Sequence, residues 1–208
     1  MPSHYIPAGA VVSSSPTIWA LPGRGLGLFH GHPDAPRLFH YFLPRLIEQG
    51  KSVLCLDGAN RFDPLLIAQF AHERRQEASI FNKRLRVARA FTCFQLTELL
   101  VRVPRLLRTF PADVLIVTAL PDLYFDEDIR ECEARASFRQ ALEALHALRQ
   151  SPLATAVFSN ATSFQTPRRT FFTQLVAHAD SVLRFITEGD RLALVSEKAM
   201  PRLPQPSV

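Results

Sequence analysis

Short, unbroken apolar runs alternate along this chain with longer amphipathic stretches, and that alternation dictates a layered α/β architecture. The clearest run is D-V-L-I-V-T-A at 113–119, which is apolar on both faces of any strand it forms. Such a strand needs cover on both sides, and a mostly parallel sheet between two helical layers supplies it. Further strands are expected at 26–31, 52–57, 84–91 and 154–159. Helices are expected at 35–49, stopped by Gly50, at 64–75 opening on Pro64, at 94–108 and at 133–150. In the last of these, Phe138, Ala141, Leu142, Leu145 and Leu148 share one face. Pro104 is expected to kink the 94–108 helix near its end. Residues 181–187 and 191–196 flank Glu188-Gly189-Asp190 and read as a C-terminal β-hairpin. With no repeat and no interior linker, the chain divides into an N-terminal extension at 1–25, one core domain at 26–199 and a proline-rich tail at 200–208.

Composition narrows the class further. Hydrophobic residues make up 47% of the 208 positions and charged residues 21%, which excludes disordered, collagen-like and disulfide-framework proteins. The apolar runs are all far shorter than the roughly 20 residues that cross a bilayer, and Met1-Pro2-Ser3-His4 lacks the layout of a secretory leader. Cys55, Cys93 and Cys132 are widely spaced, odd in number and without metal-ligand spacing, so reduced thiols in a cytoplasmic protein are expected. The net charge of +5 comes mostly from arginine, since only Lys51, Lys83 and Lys198 are lysines. GC-rich coding accounts for that bias more readily than phosphate binding does.

Five segments, taken in order, carry a resemblance. They are V-L-C-L-D-G-A-N-R-F-D-P at 53–64, V-A-R-A-F-T-C-F-Q-L-T-E-L-L at 87–100, the strand at 113–119, Phe158-Ser159-Asn160, and Ala177-His178-Ala179 followed by the hairpin and Pro201-Arg202-Leu203-Pro204. Together they are similar to the core of RecA-type recombinases, particularly the archaeal RadA and eukaryotic branch, over roughly residues 26–204. The resemblance implies a RecA-like P-loop NTPase fold. No counterpart of the family's N-terminal helical DNA-binding domain is recognised.

The resemblance also implies where a nucleotide site would lie, and the residues there depart from it. The phosphate loop falls at Gly31-His32-Pro33-Asp34-Ala35-Pro36-Arg37-Leu38. Gly31 keeps the first glycine, but Pro36 replaces the last and has no N–H. Arg37 takes the lysine position, Leu38 has no oxygen for a metal, and Asp34 puts a carboxylate where phosphate would lie. The acidic Walker B position is Thr118, the catalytic glutamate position is Ala59, and the glutamine of the sensor pair is Ala161. These losses together imply a pseudo-ATPase that is not an enzyme and binds no cofactor. The alternative is a divergent nucleotide-binding ATPase with Arg37 as its phosphate contact.

Two loops correspond to the DNA-contacting loops of a recombinase. The first, 124–135, holds Asp126, Glu127, Asp128, Glu131 and Glu133 against Arg130 and Arg135, and would repel phosphates; only Arg130 matches the family's loop arginine. The second, 161–174, interleaves Phe164, Phe171 and Phe172 with Arg168 and Arg169. Rings beside guanidinium groups suit single-strand stacking and equally suit a protein–protein hot spot, or the rings simply pack beneath the sheet edge. Arg102, Arg105 and Arg108 recur at helical spacing and form one basic face, ordinarily a solvated one.

Other candidates lead nowhere. His30, His32 and His40 lack the further ligands of a metal site. Ser13-Ser14-Ser15 has no nucleophile-elbow context. Phe138-Arg139-Gln140-Ala141 matches the F-x-x-A docking pattern of recombinases, but Phe138 falls on the buried face of its helix. The expected function is a non-catalytic recombinase paralogue, a structural or mediator subunit in DNA recombination or repair. Its partners would be a RecA-like recombinase, another paralogue or a repair polymerase, in a homo- or hetero-oligomer, with single-stranded DNA open as a further ligand and no membrane. A RecA-fold scaffold outside DNA metabolism is the other reading.

Overall fold

The apolar runs become the centre of one seven-stranded sheet, in a computed structural model that describes residues 21–198 apart from Pro22 and Asp190. Strands β1 (Gly25–His30), β2 (Val53–Asp57), β3 (Leu85–Arg89), β4 (Val114–Thr118) and β5 (Ala154–Phe158) are followed by β6 (Ser181–Glu188) and β7 (Arg191–Lys198). Their order across the sheet is β3-β2-β4-β5-β1-β6-β7. Every pairing is parallel except β6 with β7, which form the expected hairpin. All residues of β2, β4 and β5 are buried, as strands covered on both faces must be.

Two helical layers provide that cover. On one face lie α1 (Ala35–Leu38), a 3-10 turn (Phe39–Tyr41), α2 (Leu43–Glu48), α3 (Pro64–Glu73) and α4 (Ala78–Arg84). Their apolar side chains meet Phe29, Cys55, Ile116 and Phe158, and Phe29 stacks on Phe158 with ring centroids 4.7 Å apart. On the other face lie α5 (Cys93–Thr109), α6 (Glu131–Leu148) and α7 (Thr170–His178). Leu28, Leu56, Val117 and Val157 meet Leu96, Phe138, Leu142 and Leu175 there. Phe138 is fully buried, as its place in the amphipathic pattern requires.

The helical layers depart from expectation in three places. The single helix at 35–49 is broken, because Pro36 and Pro44 each occupy the opening turn of a short helix. Pro44 has no N–H to carry a helix through from His40, so the chain steps through the 3-10 turn. The stretch before β3 forms α4, whose buried anchor is Phe81. The expected loop at 161–174 closes early into α7, because Phe171 and Leu175 sit one turn apart and both reach the core. Elsewhere Asp63 caps α3, its carboxylate accepting from the N–H groups of Leu65 and Leu66, and Thr92 caps α5 through Gln95 N–H. Pro104 lies within α5, which runs on to Thr109. Of the expected extension, Gly25 joins β1, while residues 1–20, the Ser13-Ser14-Ser15 run, Pro201-Arg202-Leu203-Pro204 and the tail at 200–208 lie outside the described residues.

Candidate functional site

The connections place a cleft at the carboxyl ends of the strands. Those leaving β1 and β2 cross one face of the sheet, and those leaving β4 and β5 cross the other. Neighbouring strand ends therefore diverge between β1 and β5 and between β2 and β4, where an open α/β sheet forms its ligand crevice. A cleft of about 240 Å³ opens there. The chain after β1 contributes Asp34, Pro36 and Arg37, that after β2 contributes Ala59 and Arg61, and those after β4 and β5 contribute Asp122, Asn160 and Phe164. Five residues singled out in the sequence thus meet in one place: Asp34, Pro36, Arg37, Ala59 and Phe164. Leu38 does not join them, being buried in the core under the sheet.

The loop after β1 has its backbone donors committed internally. Pro33 and Pro36 have none. Asp34 N–H donates to His32 Nδ1 at 3.1 Å, Ala35 N–H to the His32 carbonyl at 2.9 Å, and Arg37 N–H to the Asp34 carbonyl at 2.7 Å. Positions 33–37 accordingly present no free N–H to an anion. Gly31 has a structural reason of its own: its φ is +97°, and a Cβ there would lie 2.6 Å from Arg184 Cγ and 2.8 Å from the Phe185 carbonyl oxygen. Its lack of a side chain lets β1 turn hard against β6.

Thr118 and Ala59 form a strut across the strand ends. Thr118 Oγ1 donates to the fully buried Asp57 carboxylate at 3.1 Å and accepts from Ala59 N–H at 3.0 Å. Asp57 also accepts from Arg61 and Phe62 N–H, at 3.0 and 2.9 Å, with Arg89 Nε 3.7 Å away. His40 holds the next turn: Nδ1 donates to the Arg37 carbonyl at 2.7 Å and Nε2 accepts from Asp63 N–H at 2.9 Å. Burial lowers its pKa below 6.5 and favours that neutral tautomer. Arg37 points at Asp63, 3.9 Å between charged atoms.

Asp122 is the cleft residue that sequence reasoning missed. Oδ1 accepts from the Ser159 hydroxyl at 2.6 Å and Oδ2 from Asn160 N–H at 3.0 Å, so the carboxyl ties the end of β4 to the end of β5. Burial outweighs these bonds and pushes its pKa from 3.8 up to about 6. The sign follows: between those values the unfolded chain ionises first, so Asp122 removes stability as pH rises toward 6, and the loss is complete above it. The shift corresponds to at most about 3 kcal/mol, and residual solvent contact at the cleft reduces this to about 1–2 kcal/mol. Asp122→Asn is therefore expected to gain about that much relative to the parent between about pH 4.5 and about pH 7.5. Denaturant unfolding of both proteins at the two pH values checks it, and an equal pH response would refute it.

The expected DNA-contacting loops are rebuilt by the fold. Phe171 is buried and stacks on Phe138 at 4.7 Å, so this ring belongs to the core and offers no platform for bases. Arg168 is likewise taken: its guanidinium donates to the carbonyls of Tyr124, Asp126 and Ile129, fastening the stretch after β4 to the start of α7. Phe172 is half-buried against the His30 ring. Ala161 is buried at a 3-10 turn, its N–H donating to Ser159 Oγ. Phe164 and Arg169 remain exposed. Arg130 is exposed and pairs with Glu133 at the start of α6.

Among the described residues no cluster of three or more His, Cys, Asp or Glu side chains could hold a metal ion, and no helix is long and apolar enough to cross a membrane. Compared with known proteins, the chain matches no family model and no curated sequence.

Proposed function

We propose that this chain is a non-catalytic relative of the RecA-type recombinases, a pseudo-ATPase serving as a structural or mediator subunit in DNA recombination or repair. The observation that carries the reading is the closed loop after β1. Its prolines and its three internally committed N–H groups leave positions 33–37 without a free donor for phosphates, while Asp34 and Asp122 oppose a polyphosphate in the same cleft. Thr118 and Ala59, where a magnesium ligand and a catalytic glutamate would stand by resemblance, form the strut to Asp57 instead. Such a subunit keeps the sheet and its outer surfaces as interfaces while losing ATP-driven dynamics. It acts by binding an active recombinase, a second paralogue or a repair polymerase. Arg168 and Phe171 being engaged internally, any contact with single-stranded DNA rests on Phe164 and Arg169 and is secondary to protein partners.

The test is calorimetric titration with ATP and magnesium alongside a phosphate-release assay. No heat and no release are expected; micromolar binding would sink the pseudo-ATPase reading and favour the divergent ATPase with Arg37 as its phosphate contact. Affinity purification from the source cells with nuclease treatment then tests the mediator role. Recovery of a recombinase or repair polymerase supports it, and recovery of unrelated proteins favours a scaffold outside DNA metabolism.

A further inference from the structure

One stripe of α5 faces solvent with a pattern that complements itself when reversed. Phe94, Glu98, Val101, Arg105 and Arg108 follow one another at intervals of four, three, four and three, which keeps them in line along the helix. All five are exposed, the apolar pair included: Phe94 is 47% and Val101 42% accessible. The opposite side, with Leu96, Leu100 and Val103, is buried in the core. Charge is segregated along the stripe, acid toward the amino end and arginine toward the carboxyl end. Beside the acidic half a groove of about 800 Å³ runs between α5 and α6, lined by Glu98, Glu133, Glu143 and Arg139. Each of these carboxylates already meets an exposed arginine of its own helix or its start, Arg102, Arg130 and Arg139 in turn, surface pairs that a second cation can displace at little cost.

We propose that the chain self-associates through α5 in a two-fold, antiparallel pair. Phe94 and Arg108 are each seven positions from Val101, and Glu98 and Arg105 are three and four positions from it. When two copies of α5 cross antiparallel with Val101 on the axis, Glu98 of each copy faces Arg105 of the other. Phe94 then lies beneath Arg108 of the other copy, a ring under a guanidinium, and each contact is made twice. The arginine-bearing end of α5 is thereby seated against the carboxylates of the groove. A parallel pairing would set Glu98 on Glu98 and Arg105 on Arg105, so charge selects the antiparallel one. Arg105 and Arg108 have no carboxylate partner among the described residues. Among the described residues Glu98 pairs with Arg102 one turn on, an exposed pair that exchanges partners at little cost. With two apolar residues per copy at the seam, the association is reversible and sensitive to salt. It is independent of the recombination reading.

Sedimentation velocity on the full chain, at low and high salt, is the test. A monomer–dimer equilibrium that weakens with salt is expected. Arg105→Glu and Glu98→Arg should each weaken it by about tenfold or more, and the combined variant, with both signs exchanged, should recover it. These positions are exposed, and circular dichroism verifies that each variant folds. In a Cys132→Ser background, Val101→Cys should cross-link to itself under air oxidation, whereas Arg108→Cys should not, because the two copies of position 108 lie at opposite ends of the pair. Three results would overturn the proposal: a monomer up to about 100 µM, which would leave the groove to a basic helix of another protein; a dimer indifferent to both charge reversals; or single losses that the combined variant fails to recover.

Discussion

Phe171→Ala is expected to lower stability by about 3–5 kcal/mol, the cost of removing a large ring from a packed interior. The ring is 3% exposed, stacks on Phe138 at 4.7 Å and meets Tyr124 edge-on at 6.4 Å. Beneath it lies a hydroxyl network in which Thr97 Oγ1 is 2.6 Å from Tyr124 Oη and 2.8 Å from Ser137 Oγ. The cavity left by alanine would loosen the junction of α5, α6 and α7 at once. For a chain of this length the loss reads as a fall in melting temperature of about 6–20 °C. Phe164→Ala is the contrast: its ring is 41% exposed and touches Phe125 edge-on at 5.9 Å, so the change should stay within about 1 kcal/mol. Thermal unfolding of the two variants side by side decides between a core ring and a surface platform at 171. Equal, small effects would return Phe171 to the surface.

The second large effect is expected at Gly31. Alanine there must adopt φ +97° and bring a methyl within 2.8 Å of the Phe185 carbonyl oxygen, which as backbone in β6 cannot swing aside. Arg184 Cγ, nearer still at 2.6 Å, belongs to a flexible side chain and can yield. Conformational strain of about 1–2 kcal/mol and a comparable cost for spreading β1 from β6 sum to about 3 kcal/mol. The melting temperature should fall by about 6–12 °C. Gly50, also at positive φ but with open space around it, separates the two causes, since Gly50→Ala meets strain without the clash. If both variants lose the same amount, the close approach of β6 contributes nothing.

What the sequence discloses depends on how many neighbours decide each residue. Strands β1, β2, β4 and β5 are legible because burial on both faces forces continuous apolar runs such as Val114–Thr118. Helices α5 and α6 are legible because one buried stripe repeats over four or five turns. Short elements carry too few repeats: α4 is seven residues with Phe81 as its buried anchor, and α7 is nine residues whose Phe171 and Leu175 could equally punctuate a loop. The site divides in the same way. Asp34, Pro36, Arg37 and Ala59 were readable as departures from an expected pattern, and the strand order brings them to one cleft. Asp122 belongs to no pattern, since its meaning comes from Ser159 and Asn160, 37 and 38 positions away. Arg168 looked like a surface cation because the carbonyls that hold it lie 39 to 44 positions earlier.

That last arrangement has a mechanical consequence. One planar cation holds three carbonyl oxygens from a turn far away in the chain, and the Tyr124–Phe171 and Phe125–Phe164 ring contacts join the same two segments, so the turn and the segment leading into α7 are fastened polar edge and apolar face together. Moving one outward costs those bonds and contacts unless the other follows. A partner that grips either edge must take both or break the guanidinium's three bonds.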